Sequence, residues 1–283
     1  MVIFKKAHDI KVYLDTKKGK NDHIGFIPTM GALHAGHVSL IRAAVDNGDF
    51  VVCSIFVNPS QFNEKSDFDK YPVTQEADIR MLIDAGCDVL FMPSTDEVYP
   101  GGYEKHTPVD FGYLDTILEG ALRPGHFQGV GQVVGLLLDI ISPERLYLGQ
   151  KDYQQCLVIK KLLDERGNAE GPELIICPTK REEDGLAMSS RNARLTEPQR
   201  ALAAVIYQCL VSIQSKQHLD RFQLVCKECI DLLEKKGLKP EYVSLADAET
   251  LEIIEDYDPS RKMVALIAAR IGDVRLIDNL VIN

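Results

Sequence analysis

The feature that most constrains the fold of this chain is the alternation of short apolar runs with helical periodicity over residues 1–178. Short apolar runs bounded by turn residues are typical of strands buried on both faces. The runs are residues 24–27, 50–57, 89–92, 145–148 and 174–177, and the helical stretches are residues 38–47, 76–85, 130–141 and 154–166. This alternation predicts an α/β domain with a doubly wound, Rossmann-like parallel sheet, which binds ligands at the carboxyl ends of its strands.

The regular alternation ends at Pro178, which predicts a domain boundary there. Gly272 and Asp273 favour a tight turn in the part that follows. That part has two helical stretches and three runs rich in strand formers, at residues 197–215, 219–236, 241–245, 263–269 and 275–282. Residues 179–283 are therefore expected to form a smaller α+β domain.

Composition excludes several classes of protein. Lys and Arg number 32 against 42 Asp and Glu, and the formal net charge of −10 disfavours binding to nucleic acid. Residues 133–141 are apolar but interrupted, and they are shorter than the roughly 18 residues that suggest a membrane span. The N-terminal residues MVIFKKAH lack the apolar run of a secretory signal. Seven cysteines in apolar surroundings favour reduced thiols, so we expect a cytoplasmic protein without a membrane partner.

The most informative motif is PTMGALHAGH at residues 28–37, which follows the first predicted strand and opens a helix. Its histidines, His34 and His37, lie beside a helix N-terminus, whose backbone N–H groups and dipole favour anions. Imidazoles can also donate hydrogen bonds to phosphoryl oxygens. The motif predicts a phosphate site, although a turn with two solvated histidines has the same residues. Zinc is the less economical interpretation, because Cys226 and Cys229 have the i,i+3 spacing of a helix core.

Two further polar clusters could contact phosphates. GQKDYQQ at residues 149–155 contains Lys151, which can pair with a phosphate, but the cluster is equally a helix cap formed by Asp152. AMSSRN at residues 187–192 offers two hydroxyls and a guanidinium to a triphosphate, or forms an ordinary surface turn. Five charged residues and a glycine at residues 180–185 precede it, which predicts a mobile flap that closes over the triphosphate, with an interdomain linker as the alternative.

The three clusters, in this order, resemble the HxGH nucleotidyltransferase superfamily. More closely, PTMGALHAGHVSLI, SIFVNPSQF, LEGALRPGHFQGVGQVV, LYLGQKDYQQ and AMSSRNARL are together similar to the pantothenate synthetase family of pantoate:β-alanine ligases. The resemblance extends motif by motif from Pro28 to Leu195. The chain departs from the family at Lys180, where a Val or Ile is expected to contact adenine through its backbone.

The resemblance implies ATP-dependent condensation of (R)-pantoate with β-alanine through a pantoyl-adenylate, with release of AMP and pyrophosphate. It also implies a homodimer, Mg²⁺ bound with ATP, and small molecules as the only substrates. The catalytic residues that it implies are His37, His34, Lys151, Ser190 and Arg191. The ATP-binding residues that it implies are Met30, Gly31, Ala32, Leu33, His34, Ala35, Gly36, His37, Gly149, Gln150, Lys151, Asp152, Lys180, Met188, Ser189, Ser190 and Arg191.

The resemblance further implies a binding site for the acid. Neutral amides can hold pantoate without neutralising its carboxylate, which must remain nucleophilic. A glutamine taken alone is more often an ordinary surface residue. The substrate-binding residues that the resemblance implies are Gln61, Gln155, Pro28, Met30 and Arg123, with His126 also lining the substrate channel. Asp78 is expected to hold Mg²⁺ through water, and residues 179–283 to form a lid over the site.

Two other functions remain open on the sequence alone. A cytidylyl- or adenylyltransferase of the same superfamily shares the histidine motif, but such enzymes are often short single domains. A non-catalytic nucleotide- or RNA-binding relative of the aminoacyl-tRNA synthetases is the second alternative, and the net charge of −10 disfavours its RNA-binding form.

Overall fold

The computed structural model describes residues 1–17, 23–63, 68–102, 108–167, 171–219 and 221–282. The chain divides into two compact units. The first contains Met1–Gly149 and Gln154–Cys177, and the second contains Gln150–Tyr153 and Pro178–Asn283. The short segment Gln150–Tyr153 thus belongs to the second unit although it lies within the predicted first domain.

The first unit is built on a sheet of six parallel strands, as the apolar runs predict. The strands are β1 (Val2–Phe4), β2 (Ile24–Thr29), β3 (Phe50–Ile55), β4 (Val89–Phe91), β5 (Arg145–Gly149) and β6 (Glu173–Cys177), in the order β1-β4-β3-β2-β5-β6. Sequence reasoning missed β1, because this three-residue edge strand leaves Val2 and Ile3 exposed. The prediction of a doubly wound parallel sheet is confirmed.

The helices of the first unit connect these strands. They are α1 (Ala7–Asp15), α2 (Ala35–Asp46), α3 (Gln75–Ala85), α4 (Thr95–Val98), α5 (Leu118–Leu122), α6 (His126–Ile141) and α7 (Tyr153–Glu165), of which Tyr153 belongs to the second unit. The chain moves from β2 to β4 in one direction and then crosses back to β5 and β6. Because crossovers are right-handed, this reversal places α2 and α3 on one face and α6 and α7 on the other.

The second unit has an antiparallel sheet of the order β10-β9-β7-β8. Its strands are β7 (Lys239–Asp247), β8 (Ile253–Ile254), β9 (Met263–Ile271) and β10 (Val274–Ile282). Its helices are α8 (Glu197–Ala203), α9 (Val205–Lys216) and α10 (Phe222–Lys235). The predicted helix at residues 197–215 is two helices that meet at Ala204, where φ is −62° and ψ is −15°. The prediction of a smaller α+β part is confirmed.

The second unit has its own hydrophobic core, formed where α9 and α10 pack on the sheet. Cys229 lies in this core and Cys226 packs against it, so the pair forms part of the packing, as the helical spacing predicts. All seven cysteines are free thiols. No helix among the described residues combines the length and apolarity that crossing a membrane requires.

Candidate active site

The strand order of the first unit reverses between β2 and β5, which is where ligands bind in sheets of this type. Two loops with predicted site residues follow the carboxyl ends of neighbouring strands. Pro28 lies in β2, and Met30 begins the loop that leads to α2. Asn58 caps the short 3-10 turn Pro59–Gln61, which follows β3.

The loop after β2 is shaped by two left-handed residues and one buried carboxylate. Gly31 and Ala32 have φ values of 79° and 49°. The Asp78 carboxylate accepts hydrogen bonds from the backbone N–H groups of Ala32 at 3.0 Å and Leu33 at 2.8 Å. These bonds satisfy backbone donors that the tight loop cannot pair within itself.

Asp78 therefore has a structural role that its sequence did not predict. Its side chain also accepts a hydrogen bond from Thr74 Oγ1 at 3.0 Å, and the residue is only 1% exposed. This buried carboxylate holds the loop in place, and its expected role of holding Mg²⁺ through water stays a prediction. Among the described residues, no three His, Cys, Asp or Glu side chains are grouped as a metal site.

The two histidines of the motif form a reciprocal cap on α2. His34 is the N-cap residue, and its Nδ1 accepts a hydrogen bond from Gly36 N at 3.1 Å. His37 Nδ1 accepts a hydrogen bond from His34 N at 3.3 Å. The ring centroids are 4.1 Å apart. The helix start therefore fixes both imidazoles in position at the end of β2.

This cap also determines where each imidazole carries its proton. A backbone N–H can only donate, so Nδ1 of His34 and Nδ1 of His37 must both act as acceptors. In the neutral ring, the proton then sits on Nε2. Each ring can thus donate from Nε2, which suits recognition of an anion at a helix N-terminus. Ala35 and Gly36 supply backbone of the first turn of α2.

Gln61 is held at its amide oxygen. Asn58 Nδ2 donates to Gln61 Oε1 at 3.1 Å and to the carbonyl oxygen of Gly129 at 3.1 Å. Asn58 is 1% exposed, and its Oδ1 accepts hydrogen bonds from Ser60 Oγ at 3.1 Å and Tyr99 Oη at 2.8 Å. Because the Gln61 oxygen is engaged, its Nε2 group is the part of the amide that can donate to a carboxylate or hydroxyl.

Close packing fixes the turn that contains Gln61. Helix α6 packs against this turn, and a Cβ on Gly129 would lie only 2.4 Å from the Ser60 carbonyl oxygen. Only glycine allows this approach. The position of Gln61 is therefore determined by backbone contact with α6.

His126 and Arg123 contact the same turn. His126 Nδ1 lies 2.9 Å from the Gln61 carbonyl oxygen, and Nε2 lies 3.0 Å from Arg123 Nη1. A carbonyl only accepts and a guanidinium only donates, so these contacts require neutral His126 with its proton on Nδ1. His126 is buried, and Arg123 also lies 3.8 Å from the Glu119 carboxylate. His126 thus holds the backbone carbonyl of Gln61 in place.

Gln155 and its neighbour Gln154 lie in the first turn of α7 but are used differently. Gln155 is partly buried, whereas Gln154 is buried. Gln154 Nε2 donates to the Leu114 carbonyl at 2.7 Å, and its Oε1 accepts from Glu119 N at 3.1 Å. Gln154 therefore ties down the segment before α5. Gln155 remains the residue proposed to bind the acid.

In the second unit, Lys151 lies in the 3-10 turn Gln150–Asp152. Gly149, the last residue of β5 in the first unit, immediately precedes this turn. The Lys151 Nζ is 3.5 Å from Asp152 Oδ1, and the lysine side chain is 18% exposed. Asp152 can therefore orient the Lys151 ammonium, which adds to its expected role as a helix cap.

Residues 180–191 begin as a short hairpin. Met188 N donates to the Lys180 carbonyl at 3.0 Å, and Arg181 pairs with Ala187. The Lys180 carbonyl thus already accepts one hydrogen bond within the hairpin. The hairpin turns at Gly185, where φ is 91°. Ser189 then caps the 3-10 turn Ser190–Arg194 by accepting from Arg191 N at 3.3 Å.

The charged run at residues 180–184, which lies within this hairpin, has protein partners that sequence reasoning did not foresee. Asp184 accepts hydrogen bonds from Arg200 at 2.6 and 3.1 Å, and these bonds hold the pKa of Asp184 below its ordinary value. Glu182 and Glu183 remain exposed, as solvated charges should be. The hairpin is fastened to its own unit, so these contacts argue against a flap that moves independently of it.

Sequence reasoning missed three residues that position the site. Asn58 was read only as part of NPSQF, and Gln154 only as the neighbour of Gln155. Tyr99 had no sequence signal, because the partner of its hydroxyl lies 41 residues away in the chain. Burial of the tyrosine raises the pKa of its hydroxyl. The Asn58 signal was available, since Asn before Pro favours a turn or cap.

Comparisons with known proteins identify the family. A family model described as pantoate-beta-alanine ligase matches residues 2–281. The pantothenate synthetase of Cytophaga hutchinsonii is 45% identical over 285 residues, which cover 100% of this chain and 99% of that protein. The pantothenate synthetase of Pseudomonas fluorescens is 43% identical over 99% of this chain and 97% of that protein.

Solved structures give the same result. The crystal structure of pantothenate synthetase from Thermus thermophilus matches with a TM-score of 0.90 and 36% identity over 99% of both chains. The pantoate-beta-alanine ligase from Francisella tularensis, in a complex with beta-gamma ATP and beta-alanine, has a TM-score of 0.82 and 37% identity over 99% of this chain and 97% of that one. The chain therefore belongs to the pantoate-beta-alanine ligase family, whose members are the pantothenate synthetases.

Proposed function

We infer that the protein is an ATP-dependent carbon–nitrogen ligase that joins (R)-pantoate to β-alanine and forms pantothenate, AMP and pyrophosphate. The observation that carries this proposal is the reciprocal cap of His34 and His37, found in a chain of this family. The cap presents two Nε2 donors at the N-terminus of α2, which suits binding of a triphosphate.

In the first step, a carboxylate oxygen of pantoate attacks the α-phosphorus of ATP. The new O–P bond forms as the bond to the bridging oxygen breaks, and pyrophosphate leaves with the electron pair. His34 and His37 donate to the phosphate oxygens that gain negative charge, and Lys151, Ser190 and Arg191 contact the transferred and leaving phosphates. This step requires positioning and charge stabilisation, and no protein nucleophile takes part.

The other ATP-binding residues of the proposal supply backbone and shape. Residues 30–37 form the loop and first turn that approach the phosphates, Gly149, Gln150 and Asp152 flank Lys151, and Met188 and Ser189 lead into the Ser190 turn. Lys180 contacts adenine through its backbone. These assignments follow the family pattern and agree with the local geometry of each segment.

Gln61 and Gln155 hold pantoate by hydrogen bonds from neutral amides. Support comes from the hydrogen bond that occupies Gln61 Oε1 and so directs its Nε2 group toward donation. An amide binds the carboxylate without neutralising it, which preserves its nucleophilicity. Pro28 and Met30 line the acid site from the end of β2. Arg123 takes part through His126.

In the second step, the amine of β-alanine attacks the acyl carbon of the pantoyl-adenylate. The C–N bond forms, the bond from carbon to the phosphate oxygen breaks, and AMP leaves as the amine loses a proton. The acyl-adenylate must be kept from water until the amine arrives. We therefore propose that residues 179–283 form a lid over the bound adenylate.

We propose Mg²⁺ as the counter-ion of ATP, held chiefly by phosphate oxygens and water, as this cation commonly is. The lack of a grouped set of acidic ligands in the described residues agrees with this arrangement. We also propose a cytoplasmic homodimer that acts on small molecules, without a nucleic-acid or membrane partner. Seven free cysteines are consistent with a reducing compartment.

The decisive experiment is ATP–pyrophosphate exchange with a panel of small hydroxy acids and no β-alanine. We expect exchange with pantoate, and formation of AMP and pantothenate when β-alanine is added. A nucleotidyltransferase would retain the nucleotide in its product, and a non-catalytic relative would release no pyrophosphate. The family match over residues 2–281 does not favour either alternative.

A further inference from the structure

Strand β10 holds the backbone of the Lys151 turn through one side chain. Asn279 is 2% exposed, and its Nδ2 donates to the carbonyl oxygens of Gln150 at 3.0 Å and Lys151 at 2.8 Å. Its Oδ1 accepts a hydrogen bond from Gln150 Nε2 at 3.2 Å. Both donors and the acceptor of the amide are thus used on a turn that lies 128 residues earlier in the chain.

The preceding residue of the same strand holds the hairpin of residues 180–191. The Asp278 carboxylate accepts two hydrogen bonds from Arg181, from Nη1 to Oδ2 at 2.6 Å and from Nη2 to Oδ1 at 3.0 Å. Arg181 also donates to the carbonyl oxygens of Gly185 at 3.0 Å and Asn279 at 3.1 Å. Its guanidinium lies over the Tyr207 ring at 4.2 Å from the centroid.

Burial of the charged Asp278 carboxylate costs desolvation free energy. The residue is 5% exposed, and burial raises the pKa of its carboxyl although the Arg181 hydrogen bonds act in the opposite direction. A buried ion pair adds little net stability compared with apolar residues of the same size. The two parallel hydrogen bonds from one guanidinium to one carboxylate instead fix the orientation of Arg181 relative to Asp278.

We propose that Asp278 and Asn279 act together as positioning residues that set the Lys151 turn and the residue 180–191 hairpin in the geometry required to bind the triphosphate of ATP. This inference rests on the proposed function, because that function assigns phosphate contacts to Lys151, Ser190 and Arg191. Two adjacent residues of β10 thereby align two segments that are distant in sequence.

The reason for such an anchor is the sensitivity of phosphoryl transfer to position. Lys151 lies in a three-residue turn and Ser190 begins another short turn, and neither turn is long enough to fix itself. A displacement of about 1 Å at a catalytic group can lower the rate roughly a hundredfold.

The first variant is Asn279→Ala, which removes both donors to the Lys151 turn. ATP–pyrophosphate exchange is measured with pantoate present, and unfolding by urea is followed in parallel. We expect KM for ATP to rise roughly tenfold to a hundredfold, while KM for pantoate changes little. An unchanged KM for ATP, or an equal rise for both substrates, would overturn the proposal.

The paired variant Arg181→Met with Asp278→Leu separates position from stability. Apolar replacement of both partners is expected to leave stability close to that of the wild type, whereas KM for ATP should rise as in Asn279→Ala. A folded paired variant with wild-type KM for ATP would show that the ion pair has no positioning role. If the paired variant does not fold, the Asn279→Ala result decides.

The matched control is Glu241→Gln in the same sheet. Glu241 accepts hydrogen bonds from Arg270 at 2.7 Å and Arg275 at 2.6 Å, away from both phosphate-binding segments in the sheet register. We expect a lower free energy of unfolding with KM for ATP unchanged. A rise as large as that of Asn279→Ala would show that any weakening of the sheet reduces ATP binding, and would overturn the proposal.

The proposed function and the anchor can fail separately. If the wild-type protein shows no exchange with pantoate, the proposed function is wrong. Calorimetric titration with ATP and Mg²⁺ then still tests the anchor, because Asn279→Ala should bind ATP more weakly regardless of the acid. Equal ATP affinity in the variant and the wild type would contradict the anchor itself.

Discussion

The two ends of the six-stranded sheet use buried polar side chains in different ways. At the amino end, Asp49 accepts hydrogen bonds from Tyr147 Oη at 2.5 Å and Arg145 Nη1 at 2.5 Å. Asn47 Nδ2 donates to the Tyr147 oxygen at 2.8 Å, and the Asp49 side chain is fully buried. These partners are all parts of the protein, so the cluster can contribute to stability but offers no donor array of the kind that a substrate requires.

At the carboxyl end, hydrogen bonds from the protein occupy an acceptor atom of three side chains that the motifs single out. The cap occupies Nδ1 of His34 and Nδ1 of His37, and Asn58 occupies Oε1 of Gln61. The protons are thereby assigned to Nε2 atoms of these side chains. The comparison teaches that, in one sheet, buried hydrogen bonds can serve the fold at one end and can determine at the other end which atom of a side chain carries the donor hydrogen.

The largest expected effect is on the histidines. His37→Ala should reduce ATP–pyrophosphate exchange by about two to three orders of magnitude, because a donor aimed at developing charge is lost. His34→Ala should do the same and also destabilise the protein by about 1 kcal/mol, because the N-cap is removed.

His34→Asn is the control that separates the two roles of His34. Asparagine is a good N-cap but has no imidazole donor, so we expect wild-type stability with the same loss of exchange. Urea unfolding and exchange rates on the three variants decide the matter. Exchange at the wild-type rate in His34→Asn would mean that the residue only caps the helix.

The next largest effect concerns the acid. Gln61→Ala and Gln155→Ala should each raise the dissociation constant of pantoate roughly tenfold to a hundredfold, because a hydrogen bond to a charged group is worth about 1.5 to 3 kcal/mol. ATP affinity should not change. Calorimetric titration of both ligands measures this, with Gln75→Ala, an exposed residue at the start of α3, as control. Equal losses for ATP and pantoate would place the glutamines on the nucleotide.

Tyr147→Phe tests whether the Asp49 cluster at the amino end of the sheet affects stability and not activity. Loss of the hydrogen bond to buried Asp49 should lower the free energy of unfolding by about 1 to 3 kcal/mol, and the kcat/KM values should not change. A reduced kcat/KM in a variant that remains folded at the assay temperature would break the comparison between the two ends.

The pH dependence gives a second readout for Tyr147. Burial and the bond to Asp49 raise the pKa of Tyr147 from 10.0 to about 12. Because the pKa is higher in the folded protein, the unfolded chain loses the Tyr147 hydroxyl proton at a lower pH. The stabilisation that Tyr147 provides is therefore complete below pH 10 and is lost as pH rises toward 12. Wild-type stability should therefore fall more steeply than that of Tyr147→Phe across this range, in urea titrations at several pH values.

The smallest expected effect comes from a Tyr→Phe substitution at the carboxyl end of the sheet. Tyr99→Phe removes one of the hydrogen bonds that orient Asn58, so we expect KM for pantoate to rise about fivefold, equivalent to about 1 kcal/mol. KM for ATP should not change. A loss of stability with no change in KM for pantoate would place Tyr99 with Tyr147 as a purely structural residue.

The sheet could be predicted from sequence because its signal is local. Each strand core, such as residues 50–55, is a continuous apolar run, and each intervening helix has its own periodicity. The missed elements include β1 and α1, which are short and partly exposed, so burial leaves little pattern in them. Boundaries shifted by a few residues where caps, such as His34 on α2, extend a helix beyond its apolar stripe.

The residues of the candidate site could be proposed from motifs, but their partners could not. The roles of Asp78 and Asn279 depend on contacts with residues 45 or more positions away, and no local pattern encodes such a contact. The hydrogen bonds from the loop after β2 to Asp78 could not be foreseen for this reason, and its expected contact with Mg²⁺ through water stays a prediction. The tautomers of His34 and His37 likewise depend on a cap that only three-dimensional geometry reveals.

The contact between Gly129 and the Ser60 carbonyl has a consequence for engineering of substrate range. Where α6 meets the turn that contains Gln61, Gly129 lies against the Ser60 backbone, so this contact has no side chain on the helix that could be shortened. A larger residue at position 129 would displace the turn that contains Gln61. Under the proposed binding of the acid by Gln61, libraries intended to change the acid should therefore leave this helix–turn contact intact.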